Sequence, residues 1–443
     1  MSTVIATRNK ARELATIVGE AHVIDDAAGL AQYAIDGVAP SCLVSPGSPE
    51  EAAAVLRLVS QQGLVVVPAG GFTRQHTGAT PQQIDIVLST TRLAAVEHYD
   101  PGDLTIGIGA GATIADVERM VGSHAQQLPL DVAAPERATI GGVLATGDHG
   151  ALKHGYGGVR EFCIGIRFVT GDGKVAKGGG RVVKNVAGYD LMKLFIGSYG
   201  TLGVIVGASF KVFPRPRQLR SFVSAYPTLQ QALAFRDRIY DSSLAPMCLE
   251  IVSPHAAGLI EDFPKDDQWR ILLRAGGSDA VLNRYRREIG AGHSELEGDA
   301  DAGFWRGYAN FRETAISRAR NALIIAVGVS ASEVATALKA GESAAVANGF
   351  VCAAIGRCAI GSMLLAFLPL AVDPPGAIQY VNAISALRAA LPRDGSAVVQ
   401  RCPLEAKSRF SQWGSPSTDL ESMRTVKRAL DPNNVLNRGR FLV

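Results

Sequence analysis

Between about 39 and 214, apolar runs alternate at short range with helix-spaced apolar positions, the texture of an α/β or α+β domain. Ser48, Pro49, Glu50 and Glu51 supply a cap, a proline at the first helical position and acids in the first turn. Ala54, Val55, Leu58 and Val59 follow at helical spacing, and Gly63 closes the helix. The wholly apolar stretch 64–67 is expected to be a strand that runs into a glycine-rich loop over 68–78, with a second strand at 84–88. Residues 104–111 read as a strand whose glycines pack on another backbone, after which Thr113 caps a helix through Met120. Beyond Pro214 and Pro216 the glycine-rich loops thin out. The pattern becomes helix (229–240), strands (249–252 and 270–273) and helix (280–289), as in a ferredoxin-like α+β domain with helices on one sheet face. A short helix with late basic residues, Arg424, Lys427 and Arg428, begins at Leu420 and stops at Asp431 and Pro432.

Composition narrows this picture. A chain of 443 residues predicts two or three domains, and 47% apolar with only 19% charged residues leaves much of it interior. A net charge of +3 gives no footprint for a nucleic acid or a membrane surface. The six cysteines, Cys42, Cys163, Cys248, Cys352, Cys358 and Cys402, form no C-x-x-C pair, so local spacing offers neither a zinc site nor an iron–sulfur cluster, and a reduced, cytosolic chain fits. The first twenty residues mix charges into their apolar positions, unlike a secretory signal. The apolar run 358–372 is 15 residues long, short of the roughly 20 that a membrane span needs, and is expected to be a buried strand pair.

Three segments could carry chemistry. In 68–78 a strand ending in Gly70 and Gly71 lets successive backbone amides converge on an anion such as a pyrophosphate; neither a Walker loop nor G-x-G-x-x-G is present. In 134–150 hydroxyls and small residues surround paired glycines, so a flat ring can lie on backbone. The third is K-N-V-A-G-Y-D-L (184–191), followed by G-T-L-G-V-I (200–205). Together with D-P-N-N-V-L-N-R-G-R (431–440), these blocks resemble the FAD-binding fold of the vanillyl-alcohol oxidase and p-cresol methylhydroxylase family, in its glycolate oxidase and D-lactate dehydrogenase branch.

The resemblance covers about 39–217 and the tail. It implies an α+β chain with a two-subdomain FAD-binding domain (PCMH-type) over 39–217 after a helical lead-in (1–38). A ferredoxin-like substrate, cap or partner-binding domain would follow (218–400), and a segment (401–443) would return to the FAD domain. It further implies FAD, with its pyrophosphate on Ala69, Gly70, Gly71, Phe72 and Thr73 and Gly78 closing the loop. Pro135, Thr139, Gly142, Gly147 and His149 would line the isoalloxazine and ribityl chain, Ile205 would meet the adenine side, and Asn437 would sit near the ring.

Phe72 stands where the family usually has a third glycine, which requires its ring to point outward. His76 occupies the loop where some relatives tether FAD covalently, at an offset one residue longer. His149, in T-G-D-H-G, is the candidate catalytic residue beside flavin or substrate. Relatives that oxidise D-2-hydroxy acids typically carry H-x-G-D-G-N in the C-terminal part, whereas this chain has no histidine after His293. Oxidation of a 2-hydroxy acid needs a base for the hydroxyl and a cation for the carboxylate. Arg312, Arg318, Arg320, Arg357 and Arg401 are the candidates for that cation. No metal ligand set is expected.

The function implied is FAD-dependent oxidation of a small 2-hydroxy acid such as glycolate or D-lactate. The chain would act as a flavin subunit passing electrons to an iron–sulfur partner, beside a second flavoprotein subunit. A self-contained oxidase or dehydrogenase of a sugar acid, lactone or alditol, and a flavin-binding assembly subunit without substrate chemistry, stand as alternatives. The expected location is cytoplasmic, peripheral at the inner membrane if partner subunits anchor it.

Overall fold

The computed structural model describes residues 2–180, 190–261, 263–370, 375–415 and 419–442, so the 184–189 part of the K-N-V-A-G-Y-D-L motif lies outside the described residues. Helix Pro49–Gln62 starts as its sequence dictates: the Glu51 amide donates to Ser48 Oγ at 3.1 Å, and Gly63 ends the helix with φ of +64°. Its buried Ala52, Val55, Leu56 and Val59 pack on a four-stranded sheet in the order Val23–Ile24, Cys42–Val44, Ile86–Ser89, Val66–Ala69. The last three strands are parallel. Both predicted strands here begin two residues late. The amide of Val65 donates to the carboxylate of Asp85 instead of joining the ladder, and Leu64 is held by the carbonyl of Val59 at the helix end.

A second, antiparallel sheet runs Val96–Asp100, Thr105–Gly109, Val204–Lys211, Cys163–Val169, Val175–Gly179. Helices Ile114–Gly122 and Ile140–Thr146 cover it through Ile114, Val117, Ile140 and Leu144.

The third sheet has eight strands, all antiparallel: His293–Glu297, Gln218–Tyr226, Trp269–Gly277, Cys248–Val252, Phe350–Arg357, Ser362–Pro369, Leu323–Gly328, Ser396–Arg401. Alternation along each strand builds two cores. Leu249, Ile251, Ile271, Leu273 and Ile325 face helices Leu229–Tyr240, Asp279–Ile289, Val334–Val346 and Ala377–Ala390. Val252, Leu272, Ala353 and Ile324 face the other way, and that face is not bare as expected, for Trp305, Tyr308, Phe311 and Ala256 of three further helices cover it. The apolar run at 358–370 gives one strand, Ser362–Pro369, which pairs with Phe350–Arg357 and Leu323–Gly328 rather than with a second strand within the run.

The C-terminal segment returns to the first sheet. Val66 donates to the carbonyl of Val435 at 2.8 Å, and Asn437 donates to the carbonyl of Val66 at 2.8 Å, extending the sheet beyond Val66–Ala69. Lys427, buried at the end of helix Leu420–Leu430, pairs with buried Asp431 at 2.5 Å and donates to the carbonyls of Thr201 and Leu436. Asp431 in turn accepts from the amides of Val435 and Leu436.

Candidate active site

Strand Val66–Ala69 delivers the chain to a loop where backbone meets backbone. A Cβ on Gly70 would lie 2.0 Å from Thr139 Oγ1, and one on Gly71 1.7 Å from the carbonyl oxygen of Arg137, so only glycine fits either position. Among the described residues nothing accepts a hydrogen bond from the amides of Gly70, Gly71, Phe72 or Thr73. Four successive half-buried donors without a protein acceptor form a concavity for an anion with several oxygens.

Phe72 adopts a left-handed φ of +58°, which explains why glycine suits this position, and its ring does not point outward as expected. It packs edge-on against Tyr33 at 5.2 Å and onto the small core of Leu30, Ile35 and Val67. That burial offsets part of the backbone strain, of order 1 kcal/mol for a non-glycine residue in this region.

The loop forms one wall of a cleft of about 800 Å³ counting its open mouth. Of the residues singled out in the sequence, Ala69, Gly70, Gly71, Phe72, Thr73, Thr139, Gly142, Ile205 and Asn437 line it. Asn437, held at a left-handed φ of +44°, donates from Nδ2 to the carbonyl of Tyr199 at 2.6 Å, while its buried Oδ1 has no partner among the described residues. Thr139 caps helix Ile140–Thr146, and its hydroxyl accepts from the Gly142 amide at 3.3 Å.

Three positions stand off the cleft. Gly78, with φ of +92°, lets the carbonyl of Arg440 approach, where a Cβ would meet that oxygen at 2.5 Å. Pro135 offers its carbonyl to the amide of Ala115, and Gly147 ends the Ile140 helix in a left-handed turn. His76 is exposed and faces Asp36 at 3.4 Å, outside the cleft lining.

His149 lines a second cavity, between this domain and the eight-stranded sheet, of about 900 Å³ counting its mouth. Arg74 lines both cavities, so they adjoin at its side chain. It is tied to Asp148 at 2.5 Å and to Glu313 at 3.2 Å. Of the five arginines proposed for an anion, Arg312 and Arg357 line the second cavity, whereas Arg318 and Arg320 are exposed and Arg401 is not in its lining. Arg312 pairs with Glu313 at 2.8 Å. Arg357 donates to the carbonyls of Gly150, His149 and Ser362 and has no carboxylate within 4 Å among the described residues.

The carbonyl of Gly147 lies 3.0 Å from His149 Nδ1, which must therefore carry the proton. Nε2 is left as an acceptor, 3.3 Å from both Lys153 Nζ and Ser362 Oγ. Burial, then the charges of Arg357 and Lys153, push the imidazole down to about 3, so it stays a neutral base at physiological pH. Burial pushes Asp131, in the same cavity, up to about 6.

Sequence reading missed Arg74, Tyr199 and Arg440 of the cleft and Tyr308 of the second cavity. Arg440 donates to Gln75 Oε1 and to the carbonyl of Thr77, holding the loop closed from the C-terminal segment. The sequence carries it only as the last residue of the 431–440 block, with no role attached. A signal did exist at Glu250, a lone carboxyl in the apolar strand Cys248–Val252 and wholly buried beside Tyr308.

A family model described as an FAD binding domain matches residues 40–179, and one described as the C-terminal domain of FAD linked oxidases matches residues 407–441. Glycolate oxidase subunit GlcD of Bacillus subtilis (strain 168) is 24% identical over 98% of this chain and 97% of that one. Subunit GlcE of Escherichia coli (strain K12) is 43% identical over 31% of this chain and 40% of that subunit. The chain also matches D-lactate and D-2-hydroxyglutarate dehydrogenases, over about half of their length. Among solved structures, substrate-bound p-cresol methylhydroxylase superposes with a TM-score of 0.76 at 16% identity, over 98% of this chain and 96% of that one.

Proposed function

We infer that this chain belongs with the FAD-binding flavoproteins of the vanillyl-alcohol oxidase and p-cresol methylhydroxylase type, a reading supported by its FAD-binding family models, its likeness to GlcD and its fold. It is an FAD-linked oxidoreductase, and its reaction is the oxidation of a small 2-hydroxy acid to the 2-oxo acid. The observation that carries the substrate class is the juxtaposition, in one cavity adjoining the cleft, of a neutral histidine acceptor with an arginine that forms no ion pair among the described residues.

The cleft fits FAD: its glycines leave no room for a Cβ, four amides await an anion, and the orphaned Oδ1 of Asn437 lies in its lining. Residues 69–73 would hold the pyrophosphate, Thr139 and Gly142 the ring and ribityl chain, Ile205 the adenine side, and Asn437 the ring edge. Bound FAD supplies the two-electron acceptor. The protein's own residues do the rest. Arg357, with Arg312 in the same lining, binds the substrate carboxylate and so orients the carbinol toward Arg74 and the cleft. His149 Nε2 accepts the hydroxyl proton, and the arriving carboxylate offsets the Arg357 charge that disfavours the imidazolium.

Electrons then leave through a protein partner, for which an iron–sulfur subunit is proposed. The names of GlcD and GlcE as subunits support an assembly of several chains. Among the described residues no helix is long and apolar enough to cross a membrane.

Anaerobic addition of glycolate or D-lactate to the flavin-loaded chain is the test. Bleaching of the oxidised flavin is expected, slowed about 10²- to 10⁴-fold in His149→Gln at unchanged flavin content, the usual range for loss of a general base. Because the base is the deprotonated form and its value is pushed down to about 3, the acid limb of kcat/KM lies well below that of an ordinary histidine. A flavin-loaded chain that no 2-hydroxy acid bleaches overturns this reading.

A further inference from the structure

Glu250 sits in the middle of the eight-stranded sheet, with no exposed surface, directly opposite Arg357 in the antiparallel register. One carboxyl oxygen accepts from the Tyr308 hydroxyl, and the other is buried without a partner among the described residues. Tyr308 and Arg357 both line the second cavity, so an anion entering it approaches the carboxyl across two side chains. A buried carboxylate is costly to ionise, and Arg357, although it forms no ion pair with Glu250 among the described residues, is the cation whose charge favours the ionised form.

We propose that Glu250 is a proton-linked carboxyl of the substrate site: where it is ionised, a carboxylate binding Arg357 drives a proton onto it, so that an anion then enters this cavity together with one proton. The inference deepens the 2-hydroxy-acid reading and rests on it. Once the substrate carboxylate occupies Arg357, ionised Glu250 faces a second anion in a medium of low dielectric constant, and its neutral form wins. Atoms balance: the carboxylate forms an ion pair with Arg357, and a solvent proton bonds to a Glu250 oxygen.

The surroundings of Glu250 are accounted for on each side. Arg357 faces it from strand Phe350–Arg357, and Leu272, uncharged, from strand Trp269–Gly277. Tyr308 faces it from helix Gly298–Ala309, Asp131 adds negative charge from the FAD-binding side, and the thiols of Cys248 and Cys358 are held neutral by burial. Burial raises the Glu250 carboxyl, with Arg357 and the Tyr308 hydroxyl pulling it back, to about 8. Between the Asp131 value of about 6 and that pH, Glu250 is already protonated and binding is nearly independent of pH. Above it each bound anion must bring a proton, and affinity falls as pH rises.

The test is a titration of the FAD-loaded full chain with oxamate, a redox-inert 2-oxo monocarboxylate, between pH 6.5 and 9.5. It is followed by flavin absorbance and by calorimetry in two buffers of different ionisation heat. The expected dissociation constant is flat up to about pH 8 and then rises about tenfold per pH unit, with uptake approaching one proton per oxamate. Glu250→Gln is expected to bind with a flat profile and no uptake. Tyr308→Phe, which removes a hydrogen bond to the ionised form, is expected to move the break to higher pH, and it decides the matter if Glu250→Gln does not fold. Oxamate binding that is flat across the range in the wild type, without proton uptake, overturns the role of Glu250 and leaves the carboxylate reading standing. Absence of binding at every pH overturns both.

Discussion

At the scale of single residues the site is built by what is missing as much as by what is present. Gly71 has no side chain because the carbonyl of Arg137 occupies the place where a Cβ would be, 1.7 Å away. Gly71→Ala is therefore expected to push the loop off the 134–150 segment and to scatter the four free amides. The purified variant should retain little flavin, measured as the ratio of visible to ultraviolet absorbance, while its circular dichroism stays near that of the parent. Equal flavin content would show that the loop does not hold the cofactor. The glycine pair was legible in the sequence as a place for an anion, although alone it reads equally as an ordinary turn, because the other motif blocks stand beside it. The partner it presses against was not, since Arg137 and Gly71 are 66 positions apart and nothing in either segment names the other.

At the scale of elements, short polar devices hold distant segments in place. Lys407 and Asp36, both nearly inaccessible and 2.5 Å apart, join the C-terminal segment to the N-terminal one, and Lys407 also donates to the carbonyl of His76. The Lys427–Asp431 pair does the same work at the end of helix Leu420–Leu430, and Asp431 additionally fixes the amides that lead to Asn437. Asp431→Ala leaves the Lys427 ammonium buried without its carboxylate, a change that costs about 3–5 kcal/mol. The expected outcome is a lower midpoint of thermal unfolding, with flavin fluorescence released ahead of the loss of helix signal because Leu436 and Asn437 lose their anchor. A simultaneous loss of both signals at an unchanged midpoint would refute it. Here the sequence reading was closest where chemistry is local: the caps at Ser48 and Thr113 and helix Leu229–Tyr240 stand where their residues place them. It slipped where a side chain replaced a ladder bond, as Asp85 does at Val65, or where an apolar run was asked to pair with itself rather than with the strand before it.

At the scale of the whole molecule, three sheets enclose cores that take in every cysteine. All six thiols are buried, and burial raises those of Cys42, Cys163 and Cys402 to about 12. A thiol reagent is therefore expected to modify the native chain slowly and to titrate six groups promptly in denaturant, and prompt labelling of the native form would contradict this packing. The amino-acid sequence by itself determined the local elements and the glycine-rich loop, because capping, turn geometry and backbone exposure act within a few residues, and the kind of cofactor came from the resemblance of its motif blocks to a flavoprotein family. The tertiary structure alone decided that Arg74 joins the two cavities, that His149 turns away from the cleft toward Arg357, and that Arg357 and Arg312 rather than Arg318, Arg320 or Arg401 face it. Those outcomes depend on which strands pair across a hundred or more positions, as Glu250 does with Arg357, and on the burial that follows, and neither is written in any one segment.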